Sequence, residues 1–115
     1  MSADKKVVVR FSSDTMGRGD DELGARLAAS FVNVLAEIHP DPAAIVFYNR
    51  GVYLCAADSP VLDILREFEA RGVKMLCCGT CLNHFELNGD LAVGTTSNMV
   101  EITETMLAAD LILPL

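Results

Sequence analysis

Residues 43–48 read AAIVFY, six apolar residues in a row between a proline and the polar turn 49–51. A strand with one face in solvent alternates apolar and polar residues, whereas this run has no polar position. An uninterrupted apolar strand is typical of the centre of a parallel sheet that helices cover on both faces. The run therefore predicts an α/β fold with residues 43–48 inside the sheet.

Strand-like and helix-like segments alternate on both sides of this run. Short apolar or β-branched runs predict strands, and apolar residues at helical spacing predict helices. Alternation of this kind predicts a doubly wound, mostly parallel five-stranded sheet in one domain over residues 1–115. The predicted strands are residues 6–11, 43–48, 73–77, 91–93 and 111–113, and the predicted helices are residues 20–38, 60–71, 82–87 and 98–109.

Capping residues mark the ends of two of these helices. Ser59 can cap the helix at 60–71, Pro60 suits its first turn, and Gly72 stands where a helix commonly ends. Asn98 and Glu101 have the spacing of a capping box at the start of the helix at 98–109.

Composition and charge narrow the class of protein. Sixteen acidic against nine scattered basic residues give a net charge of −7, so we expect no nucleic-acid partner. No apolar run approaches the roughly 18 residues of a membrane span, and residues 1–10 lack a signal-peptide pattern. We therefore expect a cytoplasmic protein without membrane contact.

A hydrophobic fraction of 51% in so short a chain predicts burial between subunits, and hence a homo-oligomer.

Polar residues collect where the predicted strands end. In parallel sheets, ligands bind at the carboxyl ends of the strands. Because these ends meet at one edge, we expect the residues there to form a single site. They are Ser12, Ser13 and Asp14 after the first strand, Asn49 after the second, Cys78 and Cys81 after the third, and Asn98 after the fourth.

Three of the four cysteines lie within residues 74–84, KMLCCGTCLNH. Cys78 and Cys81 form a C-x-x-C where a strand passes into a helix, and the start of a helix favours the nucleophilic thiolate. Cys77 points to the opposite side from Cys78, because side chains alternate along a strand, so we expect it in the core. Cys55 lies in an apolar stretch and is also expected there.

The residues alone leave four interpretations of the C-x-x-C open. A thioredoxin-type redox site is disfavoured because the motif follows the third strand and no proline obviously faces it. A metal site that includes His84 is disfavoured because structural zinc sites pair two ligand clusters, and the sequence has one. A sulfur carrier and incidental thiols at a strand end are the other two. The loop at residues 17–19 matches no nucleotide-binding template, so we expect no cofactor.

Four stretches, in order, resemble the DsrE/DsrF-like family of sulfur-transfer proteins, and within it the selenium-metabolism subgroup of the YedF type. The resemblance implies a three-layer α/β/α fold, oligomers, and a cysteine after a central strand that carries sulfur as a persulfide. That cysteine falls in the loop 78–81, where we expect Cys78 to be the carrier and Cys81 its partner. The stretches are FSSDTMGRGDDELG (11–24), FYNRGVYL (47–54), CCGTCLNHFEL (77–87) and VGTTSNMVEITE (93–104).

The resemblance also implies partners, namely a sulfur donor and a sulfur acceptor protein. Members of the subgroup often carry a TusA-like domain with a Cys-Pro motif, which this sequence lacks, so a separate TusA-like protein could deliver the sulfur. The predicted function is a sulfur relay, sulfurtransferase-like if it is an enzyme, and the same thiolate chemistry would serve selenium. The alternative is a non-enzymatic binding or regulatory subunit. The expected pocket residues are Ser12, Ser13, Asp14, Asn49 and Asn98.

Overall fold

The computed structural model describes residues 5–38 and 41–115, and its centre is the strand that the apolar run predicts. β2, Ala44–Phe47, is buried at all four positions and lies between β1, Val7–Phe11, and β3, Lys74–Cys78. β4, Thr95–Ser97, and β5, Leu111–Pro114, form the edges, so the strand order is β4-β3-β2-β1-β5. All four strand pairs are parallel, which confirms the predicted parallel sheet.

Helices cover both faces of the sheet, which confirms the three-layer, doubly wound α/β/α fold. The steps from β1 to β2 to β3 run in one direction, and right-handed crossovers place α1, Asp21–Ile38, and α2, Leu62–Ala70, on the same face. The connection from β4 to β5 returns across the sheet through α4, Met99–Leu107, on the other face. In the described part of the chain, no helix is both long and apolar enough to cross a membrane.

Each face of the sheet has its own core. On the face of α1 and α2, the rings of Phe11 and Phe47 stack with their centroids 5.6 Å apart. On the other face, Ile102 of α4 is fully buried against the central strands. Burying a large apolar side chain contributes about 1.5–3 kcal/mol. Cys77 belongs to the first core and Cys78 to the second, which confirms that the two point to opposite sides.

The fourth strand is not the one that was predicted. The apolar residues 91–93 form a partly buried connection, in which Val93 is buried and Leu91 makes an isolated antiparallel bridge with Ala56. Gly94, at φ 81°, then turns the chain, and the polar residues of β4 pair with the end of β3. The prediction was wrong because β4 is an edge strand with two exposed threonines, so it lacks the apolar run that marks a central strand.

Helix α2 begins later than predicted and ends where expected. Its first residue is Leu62 rather than Pro60, and its N-cap, Val61, makes no side-chain capping bond. The Ser59 hydroxyl instead accepts a hydrogen bond from the Val61 N–H at 3.2 Å, within the turn before the helix. Gly72 has φ 90°, which confirms its place just beyond the helix end.

The helix after β3 begins three residues earlier than predicted. α3 spans Gly79–His84 rather than residues 82–87, because Cys78 is still part of β3 and the chain turns into the helix at once. The N–H of Leu87 donates to the Leu82 carbonyl at 2.8 Å and closes the far end. As a result, Cys81 lies in the first turn of α3.

A 3₁₀ helix, Asn49–Cys55, follows β2 where the sequence indicated only a turn. Gly51 makes its position possible, because a β-carbon at this residue would collide with the carbonyl of Phe11. The 3₁₀ helix therefore lies directly against the end of β1, and its first residue comes next to α3.

Candidate functional site

Cys78 and Cys81 meet where β3 passes into α3. Cys78 is the last residue of β3 and the N-cap of α3, and only 3% of its surface is exposed. Cys81, one turn further on, is partly exposed at the carboxyl edge of the sheet. Gly79 lets this turn approach β4, since a β-carbon here would lie 3.0 Å from the Ser97 carbonyl oxygen. The site therefore has one thiol within reach of a partner, that of Cys81, and one that is buried, that of Cys78.

The two thiols are neighbours, and Cys81 has a second polar neighbour. The backbone N–H of Asn49 donates to the Cys81 sulfur, with 3.1 Å between nitrogen and sulfur. Cys81 also packs against both cores, because α3 begins at the rim of the sheet. The structure thus brings together three of the predicted site residues: Cys78, Cys81 and Asn49.

The pKa of the Cys81 thiol is raised above its ordinary value. Burial is the largest cause, and the contact with Cys78 adds to it, while the Asn49 N–H acts in the opposite direction. The expectation that the helix start would favour the thiolate is therefore wrong for Cys81. α3 has only six residues, so its dipole is small, and the desolvation of the sulfur outweighs it.

A second thiol pair lies in the core on the face of α1 and α2. Cys55 and Cys77 are both fully buried, as predicted, and their thiols are neighbours. Burial, followed by the contact with Cys77, raises the pKa of Cys55 well above its ordinary value. The contact could not be predicted from sequence, because Cys55 approaches β3 only through the unpredicted 3₁₀ helix.

Asn49 has an unusual backbone conformation. Its φ is 50°, in the left-handed region that few residues other than glycine adopt. Asparagine tolerates this region, and here its side-chain oxygen accepts a hydrogen bond from the N–H of Arg50 at 2.9 Å. This local bond holds the turn at the start of the 3₁₀ helix.

The residues that follow β1 form a polar cleft beside this turn. The Ser12 hydroxyl donates to the carbonyl of Leu115 at 2.8 Å, and the hydroxyls of Ser13 and Thr15 lie 3.0 Å apart. A cleft of about 510 Å³ opens here. Its lining includes Ser12, Ser13, Thr15, Arg18, Asn49 and Arg50.

Asp14 and Arg50 form an ion pair that was not predicted. The Arg50 guanidinium donates to both carboxylate oxygens of Asp14 at 3.3 Å, and it lies 4.8 Å above the ring of Tyr53. The Arg50 side chain is more than half exposed, so the pair contributes at most about 1 kcal/mol. Because the two residues are 36 positions apart, no sequence spacing indicates their contact.

Asn98 acts at the start of α4. Its side-chain oxygen accepts a hydrogen bond from the N–H of Glu101 at 2.9 Å, which confirms the predicted cap. The Glu101 carboxylate does not complete the capping box but accepts a hydrogen bond from the Ser97 hydroxyl. Ser97 pairs with Cys78 across the sheet, so Asn98 is connected to the thiols through β4.

His84 is exposed, and its ring lies edge-on to Phe85 with centroids 5.0 Å apart. Within residues 5–38 and 41–115, no group of three or more His, Cys, Asp or Glu side chains is placed to hold a metal ion.

The fold and the thiols define a class: a small parallel α/β protein with a contacting thiol pair at the carboxyl edge of its sheet. The sequence profile of the DsrE/DsrF-like family matches residues 5–115. The chain therefore belongs to the DsrE/DsrF-like family.

Three solved structures share this fold. The YchN protein of E. coli is 18% identical, with a TM-score of 0.67 over 96% of this chain and 99% of that one. The protein of unknown function MTH1491 from Methanobacterium thermoautotrophicum is 25% identical, with a TM-score of 0.66 over 96% and 100%. The protein of unknown function BT1422 from Bacteroides thetaiotaomicron is 20% identical, with a TM-score of 0.65 over 100% and 98%. Among proteins of curated function, none matches this chain.

Proposed function

We propose that this protein is a cytoplasmic sulfur-relay carrier that holds sulfur as a persulfide on the Cys78–Cys81 pair. One observation carries the proposal: two thiols touch at the carboxyl edge of the sheet, and one of them is partly exposed. The chain belongs to the DsrE/DsrF-like family, and the sulfur-transfer role that the resemblance to this family implies supports the proposal. The same thiolate chemistry would carry selenium.

The proposed relay consists of two exchange steps. In the first, the Cys81 thiolate attacks the outer sulfur of a donor persulfide, the donor's S–S bond breaks, and the donor leaves as a thiolate. In the second, an acceptor thiolate attacks the outer sulfur on Cys81, and Cys81 leaves as a thiolate. Each step replaces one S–S bond with another, so neither step needs an external oxidant or reductant.

Exposure favours Cys81 as the thiol that receives the sulfur. The sequence led us to expect Cys78 in that role, but Cys78 is almost completely buried in the core on the face of α4, whereas Cys81 is partly exposed. A donor protein must bring its own sulfur within bonding distance, and only an exposed thiol permits this without opening the core. In this proposal Cys78 is the inner partner.

The proposed partners are a sulfur donor and a sulfur acceptor, including a separate TusA-like protein, and further copies of this chain. Exposed apolar side chains on α4 support the homo-oligomer: Leu107 is 80% exposed and Val100 is 70% exposed. Exposed apolar side chains that cluster on one helix are typical of subunit contacts. Sedimentation velocity tests this, and a monomer at micromolar concentration would contradict it.

Mass spectrometry tests the carrier role. The reduced protein is incubated with a cysteine desulfurase and cysteine, and its intact mass is then measured with and without a reducing agent. We expect the chain to gain the mass of one sulfur atom, and the reducing agent to remove it. Cys81→Ser should abolish the gain, whereas the matched variant Cys55→Ser, which changes a fully buried thiol, should retain it.

Two results would change the proposal. If Cys78→Ser abolishes loading and Cys81→Ser retains it, the carrier is Cys78, as the sequence suggested. If neither thiol is loaded while the desulfurase itself carries a persulfide, the non-enzymatic binding subunit is the better function. The raised pKa of Cys81 favours that alternative, because it lowers the fraction of thiolate at neutral pH.

A further inference from the structure

The Cys81 sulfur accepts one backbone hydrogen bond, and the donor is 32 residues away in sequence. The N–H of Asn49 lies 3.1 Å from this sulfur. A hydrogen bond to an ionised acceptor is roughly twice as strong as one to a neutral acceptor. The Asn49 N–H therefore stabilises the Cys81 thiolate more than it stabilises the thiol.

The left-handed backbone at Asn49 gives this N–H its direction. Tyr48 before it is extended, at φ −146° and ψ 170°, and the chain then reverses at Asn49, where φ is 50°. The side-chain oxygen of Asn49 holds the reversal through its bond from the Arg50 N–H. A side chain without a polar atom would lose this bond and would also be strained at this φ.

The turn is fastened to the sheet on its other side. The N–H of Tyr48 donates to the Phe11 carbonyl at 3.1 Å, and the N–H of Gly51 donates to the Tyr48 carbonyl at 2.9 Å. Gly51 lies so close to that same Phe11 carbonyl that any side chain would collide with it. The position of the Asn49 N–H is thus set by the end of β1, independently of α3.

We propose that Asn49 is a positioning residue for Cys81: its backbone N–H holds the Cys81 sulfur when that sulfur is an anion. This extends the proposed function, because the relay needs the anion twice. Cys81 attacks the donor persulfide as a thiolate, and it leaves as a thiolate when the acceptor takes the sulfur. One fixed donor serves both steps and requires no movement of the loop.

The test measures the rate of Cys81 alkylation by iodoacetamide as a function of pH, with mass spectrometry to identify the cysteine. The variant that isolates the bond replaces Asn49 by its α-hydroxy acid analogue. This change converts the backbone N–H to an oxygen and leaves the side chain in place. Asn49→Gly is the matched control, because glycine keeps the N–H and adopts positive φ without strain.

We expect the midpoint of the alkylation profile to rise by about 0.5–1 pH unit in the ester variant. Such a rise slows alkylation about 3–10-fold below the midpoint. Asn49→Gly should stay close to the natural protein. A merely structural role predicts the opposite sign, because a loosened turn would expose Cys81 and speed its alkylation at every pH.

An ester variant with an unchanged midpoint would overturn the proposal, and so would faster alkylation without a shift. The readout needs no sulfur donor. Failure of sulfur loading would therefore leave this result standing, and the two proposals can fail separately.

Discussion

The two thiol pairs of this protein differ in surroundings rather than in composition. Cys77 and Cys78 are neighbours on β3, yet one faces Cys55 in the core and the other faces Cys81 at the edge of the sheet. In both pairs the two thiols are neighbours. At the edge, one thiol is partly exposed and accepts a backbone N–H, whereas in the core both thiols are fully buried. A contact between two thiols therefore does not by itself mark a reactive site.

Solvent exposure and the hydrogen bond from the Asn49 N–H account for the chemical difference between the two thiol pairs. Burial raises the pKa of both Cys55 and Cys81, since low polarity disfavours the thiolate. For Cys81 the Asn49 N–H counters part of this effect, whereas each identified influence on Cys55 acts in the same direction. Ionisation is therefore opposed less strongly at Cys81 than at Cys55.

Alkylation of the native protein should separate the pairs by the largest factor. A fully buried thiol reacts only after an opening that costs a large part of the global stability, typically 5–15 kcal/mol. We expect Cys81 to be alkylated by iodoacetamide at least about a thousandfold faster than Cys55, since each 1.4 kcal/mol is a factor of ten. Timed labelling followed by peptide mass spectrometry measures both rates in one sample.

The unfolded chain is the control for this measurement. In strong denaturant all four cysteines should react within a few-fold of one another, because the factor arises from the fold and not from neighbouring residues. Native rates for Cys55 and Cys81 within tenfold of each other would show that the core opens easily. The distinction between the two pairs would then fail.

Substitution by serine should destabilise the protein more in the core pair than in the edge pair. We expect this difference to be smaller than the difference in alkylation rate. A β-carbon at Gly94 would lie 3.3 Å from the Cys77 sulfur, so the space around this thiol is closely filled. A hydroxyl buried there finds a weak partner in Cys55, and we expect Cys77→Ser to cost about 1–3 kcal/mol of unfolding free energy. Cys81→Ser, at a partly exposed position, should stay within about 0.5 kcal/mol.

Urea unfolding of the reduced proteins measures both values, and the slopes should match the natural protein's if both variants keep its native state. An equal loss in the two variants would show that Cys81 is as much a part of the core as Cys77. The partial exposure of Cys81 would then not reduce the loss of unfolding free energy on substitution.

The parts of the fold that sequence could predict are those that hydrophobic burial alone determines. The central strand was predicted at residues 43–48 and spans Ala44–Phe47, because a strand buried on both faces must be apolar throughout. The edge strand β4 was missed because backbone pairing with β3 defines it, while its threonines are exposed. The apolar residues 91–93 were mistaken for it, because an apolar connection and an apolar strand look the same in the sequence.

The candidate site also has features that the sequence could predict and features that it could not. Alternation along β3 correctly separated Cys77 from Cys78, since this depends only on the geometry of one strand. The donor to Cys81 could not be predicted, because it is a backbone N–H, which every residue except proline possesses. Asn49 was singled out as a polar residue after β2, but nothing in its side chain indicates that its main chain is the functional part.

Stability at alkaline pH should show the smallest difference between the pairs. A thiol with a raised pKa in the folded state holds its proton more tightly there than in the unfolded chain. It therefore stabilises the fold below its ordinary pKa of about 8.5, and this contribution is lost as pH rises from there through the folded value. One thiol can lower the free energy of unfolding by at most about 1.4 kcal/mol per pH unit.

Because the pKa of Cys55 is raised further than that of Cys81, Cys55→Ala should flatten the decline of the unfolding free energy above pH 8.5 more than Cys81→Ser does. Urea unfolding at pH 8 and at one or two higher values measures the slopes. A steeper or unchanged slope in Cys55→Ala would mean that the core thiol ionises as readily in the folded protein as in the unfolded chain.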